Sequence, residues 1–326
     1  MKNHLLILLL FVFGIVNSQE NHRRTLKLMG SRFSITVVAN NEKEANTAID
    51  LAINEITRIE KLISSWDKAS QTSTINRNAG KQPVKVSKEL FNLIERSIAI
   101  SKLTDGAFDI SYASMDRLWK YDGSMTEIPS EIDIENSVSK VGFENIILNE
   151  NDQTVFLKLE GMKIGFGGIG KGYAADKAKA LLISKGVKGG IINASGDLNA
   201  WGKQFDGKDW MVAITNPLNK EKAFTWMPIV NSSVVTSGNY EKFVKFNDIR
   251  YSHIIDPRTG YPSTGVISVT ILTDSAELAD GLSTSIFVMG VETGLHFINQ
   301  LKNVECIIVD ENNKIHRSNN IELKKT

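Results

Sequence analysis

The sequence predicts an α+β fold. Three observations lead there: segments with the two-residue period of half-buried strands, amphipathic stretches that open on helix-capping residues, and an order of these segments that does not alternate strictly between strand and helix. The composition supports a sizeable core, since 42% of the 326 residues are hydrophobic, 23% charged and 8% aromatic. Disordered, collagen-like and polytopic membrane classes are excluded on that ground. With 38 basic against 37 acidic residues the net charge is +1, so a protein that grips nucleic acid through bulk charge is excluded as well.

Residues 1–18 stand apart from the rest. Lys2 supplies a positive start, residues 5–16 (LLILLLFVFGIV) are unbroken apolar sequence, and Val16-Asn17-Ser18 offers a cleavage site before Gln19. This has the form of a secretory signal and is shorter than the ~20 residues that span a bilayer. A short N-terminal anchor is the alternative. The expected organisation is a signal peptide over 1–18 and one domain over 19–326, exported to the periplasm, soluble or loosely attached to the inner membrane. Cys306 is the only cysteine, so no internal disulfide forms, and its apolar run CIIV reads as a buried strand.

Along the chain, Phe33, Ile35 and Val37 alternate with polar residues as in a strand. Asn41 with Glu44 resembles a capping box and opens a helix with apolar positions from Ala45 to Ile63. A second helix is expected from Ser87, burying Leu90, Ile94 and Ile98 and stopping at Asp105-Gly106. Residues 146–148 and 155–159 flank an Asn151-Asp152 turn, a hairpin pattern. Residues 162–166 read as a strand, followed by a glycine cluster and a helix over 173–185. Further strands are expected at 190–193, 210–215, 225–230, 251–255 and 266–272, a helix from Ser275, and last strands at 306–309 and 314–317 around Asn312-Asn313.

The densest chemical signal is Gly165-Phe166-Gly167-Gly168-Ile169-Gly170-Lys171-Gly172-Tyr173. Glycines let backbone approach a ligand closely, and a following helix N-terminus favours anions. Lys171 adds a full charge. The stretch satisfies G-x-G-x-x-G, but no acidic residue follows at the distance needed for ribose binding. It satisfies most of a P-loop, but Gly172 stands where the Ser or Thr should be. Anion binding is the reading that survives, with helix-to-sheet packing as the structural alternative. In Asp280-Gly281-Leu282-Ser283-Thr284 the spacing i, i+3, i+4 puts three oxygen donors on one helix side, a set suited to Mg²⁺ or Ca²⁺. Helical Ser and Thr also bond back to their own helix. His253, before an Asp256-Pro257 turn, is a general-base candidate, with a structural role as the alternative. Asn193-Ala194-Ser195-Gly196-Asp197 and Thr236-Ser237-Gly238-Asn239-Tyr240 are turn-like.

Taken in order, these segments resemble the ApbE family, the FAD:protein FMN transferases. The resemblance runs from Met29-Gly30-Ser31 through Ser65-Trp66-Asp67 with Ser70 and Asn76, then Gly106-Ala107-Phe108-Asp109 and the glycine-rich stretch as far as Asp176. It continues through Ser195-Gly196-Asp197, the 236–240 segment, His253-Ile254-Ile255-Asp256-Pro257 and the 280–284 helix. It implies a T-fold-like architecture, with mixed sheets, helices packed on them and a cleft between two subdomains. It also implies FAD as substrate and Mg²⁺ as cofactor, the metal held by Asp280, Thr284 and the Gly170 carbonyl with Ser283 nearby. The implied FAD contacts are Met29, Trp66, Ala107, Phe108, Asp109, Gly167, Lys171, Tyr173 and Ile254, and His253 matches the histidine implicated in catalysis. The family often has Gly-Gly-Asp at 195–197 and Met-Gly-Thr at 29–31, where this chain has serines at 195 and 31.

The implied reaction is transfer of FMN from FAD to a Thr or Ser hydroxyl of an acceptor protein through a phosphoester bond, with release of AMP. A subunit of a sodium-pumping or related respiratory complex, or a flavinylated reductase, is a candidate acceptor; no nucleic acid is expected as a partner. The same site with water as nucleophile gives an FAD pyrophosphatase. A non-catalytic exported FAD-binding protein is the alternative of another class, and a nicotinamide-dependent oxidoreductase is more distant.

Overall fold

The computed structural model describes residues 19–216, 219–239 and 242–321; the expected signal segment 1–18 and Tyr240 lie outside the described residues. β1 (Glu20–Leu28) and β2 (Ser31–Ala39) pair across a turn in which Met29 and Gly30 both have left-handed backbone, at φ 49° and 73°. α1 (Glu42–Ile63) starts as its sequence requires: the Asn41 side chain accepts the Glu44 N–H at 2.9 Å. Ala45, Ile49, Ala52, Ile56 and Ile63 form its buried stripe. Then follow α2 (Gln71–Arg77), β3 (Val84–Lys85) and α3 (Lys88–Leu103), the last capped by Ser87. A 3-10 turn over Ile110–Ser114 and α4 (Glu131–Val138) lead to the hairpin of β4 (Ile146–Asn149) and β5 (Thr154–Leu157).

α5 (Gly170–Ser184) is followed by β6 (Gly190–Ala194), β7 (Asp197–Trp201), β8 (Trp210–Asn216), β9 (Asn219–Ile229) and β10 (Ser233–Gly238). The described chain ends with β11 (Phe243–Phe246), β12 (Ile249–Ser252), β13 (Val266–Thr273), α6 (Ala276–Met289), α7 (Val291–Ile298), β14 (Glu305–Asp310) and β15 (Ile315–Arg317). One eight-stranded sheet dominates, in the order β1-β2-β6-β7-β10-β13-β14-β15. Every neighbouring pair in it is antiparallel, which suits α+β rather than a doubly wound sheet.

Successive residues of a strand point to opposite faces, and this sheet is covered on both. Val37 joins a core with α1, α3 and α5, whereas Val38 joins another with Trp210, Val212 and Ile229 of the β8-β9 hairpin. Val235 and Ile308 likewise meet α6 and α7, while their neighbours Val234 and Ile307 face the hairpin side. Double coverage explains why β14 reads as a continuous apolar run. Cys306 is fully buried in β14, as its apolar run implies. The cores under α5 and under α6 meet at Leu278, which packs against both.

Three expected elements differ, the first being the turn-like residues 236–238, which form the end of β10. Residues 162–166 form no strand, although Met162, Ile164 and Phe166 are buried in alternation. Side chains satisfy that backbone instead: Asn76 exchanges two hydrogen bonds with Ile164, at 2.9 and 3.0 Å, and the Ser114 hydroxyl exchanges two with Lys163. β12 stops at Ser252, and Ile255 keeps one isolated bridge to Pro262.

Candidate active site

The site is built where the first turn of α5 meets the first turn of α6. A Cβ on Gly172 would lie 2.1 Å from the Ala276 carbonyl oxygen, so only glycine permits this approach. The two helix starts then cap each other. Asp280 Oδ2 accepts the Gly172 N–H at 3.1 Å. In return Asp176, from α5, accepts the N–H groups of Ala276 at 3.0 Å and Glu277 at 2.9 Å, and the Ser275 hydroxyl at 2.8 Å. Each carboxylate answers the unpaired donors and positive end of the other helix. This is why helix α5 can begin at Gly170, three residues earlier than the sequence suggests.

Lys171 sits inside this crossing. Its Nζ is 2.6 Å from Asp197 Oδ2 and 3.5 Å from each Asp280 oxygen. Burial works against the ammonium charge, but Asp280 and Asp197 outweigh it and push its pKa up. Burial pushes the Asp197 carboxyl up to about 6, against the pull of Lys171. Asp197 is delivered by the β6-β7 turn, in which Ser195 takes φ 60° and Gly196 φ 104°. That turn pattern was legible in the sequence, but its role in aiming Asp197 at Lys171 was not; no charge-pair spacing exists across 26 residues of chain.

Thr284 reaches the same loop one turn further along α6. A Cβ at Gly168 would lie 3.3 Å from Thr284 Oγ1 and 3.5 Å from the Phe108 ring. Asp280 and Thr284 are thus brought together over residues 168–172. Gly170 turns its Cα to the core instead, where Ile63 Cδ1 would be 2.7 Å and Met29 Cε 3.8 Å from a Cβ. Ser283 is not brought into the group: it is fully buried, its hydroxyl donates to the Asp280 carbonyl at 3.0 Å and pairs with Ser237 Oγ at 2.8 Å. At about 100° per residue, positions i+3 and i+4 fall on opposite sides of position i. One therefore faces β10 and the other the glycine loop.

The remaining expected contacts divide. Gly167 is exposed on the loop and donates its N–H to the Tyr112 hydroxyl at 3.2 Å. Ala107, Phe108 and Asp109 are buried, and the Phe108 ring lies close to Gly168 of the loop. The Asp109 carboxylate is spent on structure, accepting Ser111 N–H and Phe143 N–H, each at 2.7 Å. Trp66 is 76% exposed, with the Arg117 guanidinium 4.7 Å from its ring centre. Tyr173 departs from the expectation of an FAD contact. It is 1% exposed, its hydroxyl donates to Glu89 at 2.8 Å, and Arg96 and Lys177 flank its ring.

His253 is exposed at the end of β12. Its Nδ1 lies 3.1 Å from the Lys242 carbonyl oxygen. A carbonyl only accepts, so the ring donates to it through Nδ1. Tyr121 meets the imidazole edge-on at 6.4 Å and donates its hydroxyl to the Ser252 carbonyl at 2.8 Å. Ile254 packs against the core that contains Ala279 and Leu282, tying the histidine segment to α6.

The donor chemistry fits a hard divalent cation. One ammonium shared by two carboxylates leaves net negative charge when both are ionised, and the adjacent donors are a hydroxyl and loop backbone. Among the described residues no group of three or more His, Cys, Asp or Glu is placed to hold a metal ion, so a cation here would depend on the hydroxyl and backbone donors as well as the carboxylate.

The sequence model of the ApbE family matches residues 29–308. A Klebsiella pneumoniae FAD:protein FMN transferase is 31% identical over 88% of this chain and 89% of its own length. An Escherichia coli K12 protein of the same name is 28% identical over 82% and 78%. The crystal structure of the Thermotoga maritima ApbE protein superposes with a TM-score of 0.81 at 31% identity, covering 92% of this chain and 97% of that one. For the Vibrio cholerae flavin transferase ApbE the TM-score is 0.79 at 25% identity, over 92% and 97%.

Proposed function

The chain belongs to the ApbE family, and from that premise we propose how its own residues carry out the activity of its relatives. It is an FAD:protein FMN transferase: it acts on FAD and flavinylates acceptor proteins. The observation that carries this reading is the convergence of Lys171, Asp280 and Thr284 on the glycine loop, which gathers a cation, a carboxylate and a hydroxyl around backbone able to approach a diphosphate.

The acceptor group is a Thr or Ser hydroxyl, which attacks the phosphorus on the FMN side; a phosphoester forms and AMP leaves. Asp280 and Thr284, with loop backbone, would hold Mg²⁺, which would supply charge neutralisation on the diphosphate. Lys171 stays protonated between its two carboxylates and stabilises phosphate oxygens by position and charge. His253 is the general base for the acceptor proton, its ring fixed through Nδ1 by the Lys242 carbonyl. Trp66, exposed beside Arg117, offers a flat surface for a ring of FAD. The apolar leader at 5–16 supports export to the periplasm. Among the described residues no helix is long and apolar enough to cross a membrane.

The test is incubation of the purified chain with FAD, Mg²⁺ and a candidate acceptor domain, following AMP release and acceptor mass. AMP together with an acceptor heavier by FMN is the expected result. AMP with free FMN would make the chain a pyrophosphatase, and retained FAD without AMP a binding protein.

A further inference from the structure

The glycine at 167 is required by a neighbour as well as by any ligand. A Cβ there would lie 2.3 Å from the Tyr112 hydroxyl oxygen, and one at Gly165 3.6 Å from it. Tyr112 lies in the 3-10 turn that Asp109 fastens, both by its carboxylate to Ser111 N–H and by its carbonyl, which accepts Tyr112 N–H at 3.1 Å. The phenol is therefore held over the loop by a rigid base.

Its hydrogen bonding is lopsided. The hydroxyl accepts the Gly167 N–H at 3.2 Å, yet among the described residues no acceptor takes its proton. Tyr112 is 36% exposed, unlike the buried Tyr173, whose proton goes to Glu89. Desolvation pushes the phenol upward, Gly167 N–H opposes it, and Asp280, Arg117 and Lys171 all act on it by charge. The group is thus a protonated donor within the field of the site. Accepting the loop N–H polarises the O–H and strengthens it as a donor.

We propose that Tyr112 is a substrate-binding residue: held by Gly167 N–H, its hydroxyl donates a hydrogen bond to an anionic phosphate oxygen of the dinucleotide. The loop's donor is then extended outward by one hydroxyl instead of touching the anion directly. This rests on the flavin-transfer reading, and the probes are chosen to separate the two.

Affinities of FAD and of magnesium pyrophosphate are measured by calorimetry for the wild type and Tyr112→Phe, with thermal melting as a control for folding. A lost hydrogen bond to a charged group predicts affinity for both probes falling about tenfold or more, with an unchanged melting temperature. Affinities within twofold of wild type for both, or a loss confined to FAD, overturn the assignment. A wild type that binds pyrophosphate but not FAD would count against the flavin reading alone. A second arm uses the clash. Gly167→Ala displaces the phenol and lowers affinity in the wild-type background. In Tyr112→Phe, where the nearest remaining ring carbon would be 3.4 Å away, it adds little. Losses that multiply across the double variant contradict the proposal.

Discussion

Asp280 Oδ2 accepts the Gly172 N–H at 3.1 Å, so a carboxylate expected to bind metal is also the cap of the neighbouring helix. The two duties are separable, because a carboxamide oxygen can cap but carries no charge. Asp280→Asn keeps the cap but removes charge that offsets the burial of Lys171, so it is expected to melt between wild type and Asp280→Ala while Mg²⁺-dependent AMP release falls at least about 100-fold, since partners of metal ligands alone cost 10–100-fold. Asp280→Ala loses both and melts lower. Full activity of Asp280→Asn under chelator would remove the metal role.

The histidine makes a different prediction. His253→Gln keeps a donor for the Lys242 carbonyl but no basic nitrogen, so the transfer rate should fall about 10²–10⁴-fold with FAD affinity unchanged. An unaltered transfer rate would exclude His253 as the base.

Gly172 is the tightest point of the helix crossing. A methyl group 2.1 Å from the Ala276 carbonyl oxygen has no room to relax without separating α5 from α6. Gly172→Ala should destabilise by about 3 kcal/mol or more, at or beyond the upper range for overpacking, seen as a lower denaturation midpoint. A wild-type midpoint would mean that the helices do not cross there.

Tyr173 is assigned to stability. Tyr173→Phe removes the bond to Glu89 and should cost about 1 kcal/mol without changing FAD affinity; weaker FAD binding at unchanged stability would restore it to the site. The Arg58 guanidinium beside Glu89 holds that carboxyl below its ordinary 4.5. Its stabilisation is present above that value and lost as pH falls through the depressed one. The difference in melting temperature between wild type and Glu89→Gln should therefore shrink on acidification below about pH 4; a difference that grows contradicts the pairing.

Much of the fold was legible because local signals agreed with it: Asn41 and Ser87 cap the helices they were expected to cap, and Asn313 takes the left-handed turn before β15 at φ 65°. The site was legible in part. The spacing of Asp280 and Thr284 predicts a shared helix side; Ser283 falls on the other flank of Asp280, where β10 supplies Ser237. The segment at 162–166 has strand periodicity without a strand partner, because Asn76 supplies the bonds. Asp197 was hidden inside a turn motif, since its meaning comes from Lys171, which the sheet brings to it. Glycine at 172 signalled a close approach, but the sequence could not say that the approaching group was another helix.

The most direct measurement is a crystal structure of the chain soaked with FAD and Mn²⁺, located by anomalous scattering. Manganese is expected between the Asp280 carboxylate and the Thr284 hydroxyl, with the FAD diphosphate against residues 167–172 and Lys171. Metal bound elsewhere, or a diphosphate away from that loop, would show that these residues converge for some other purpose.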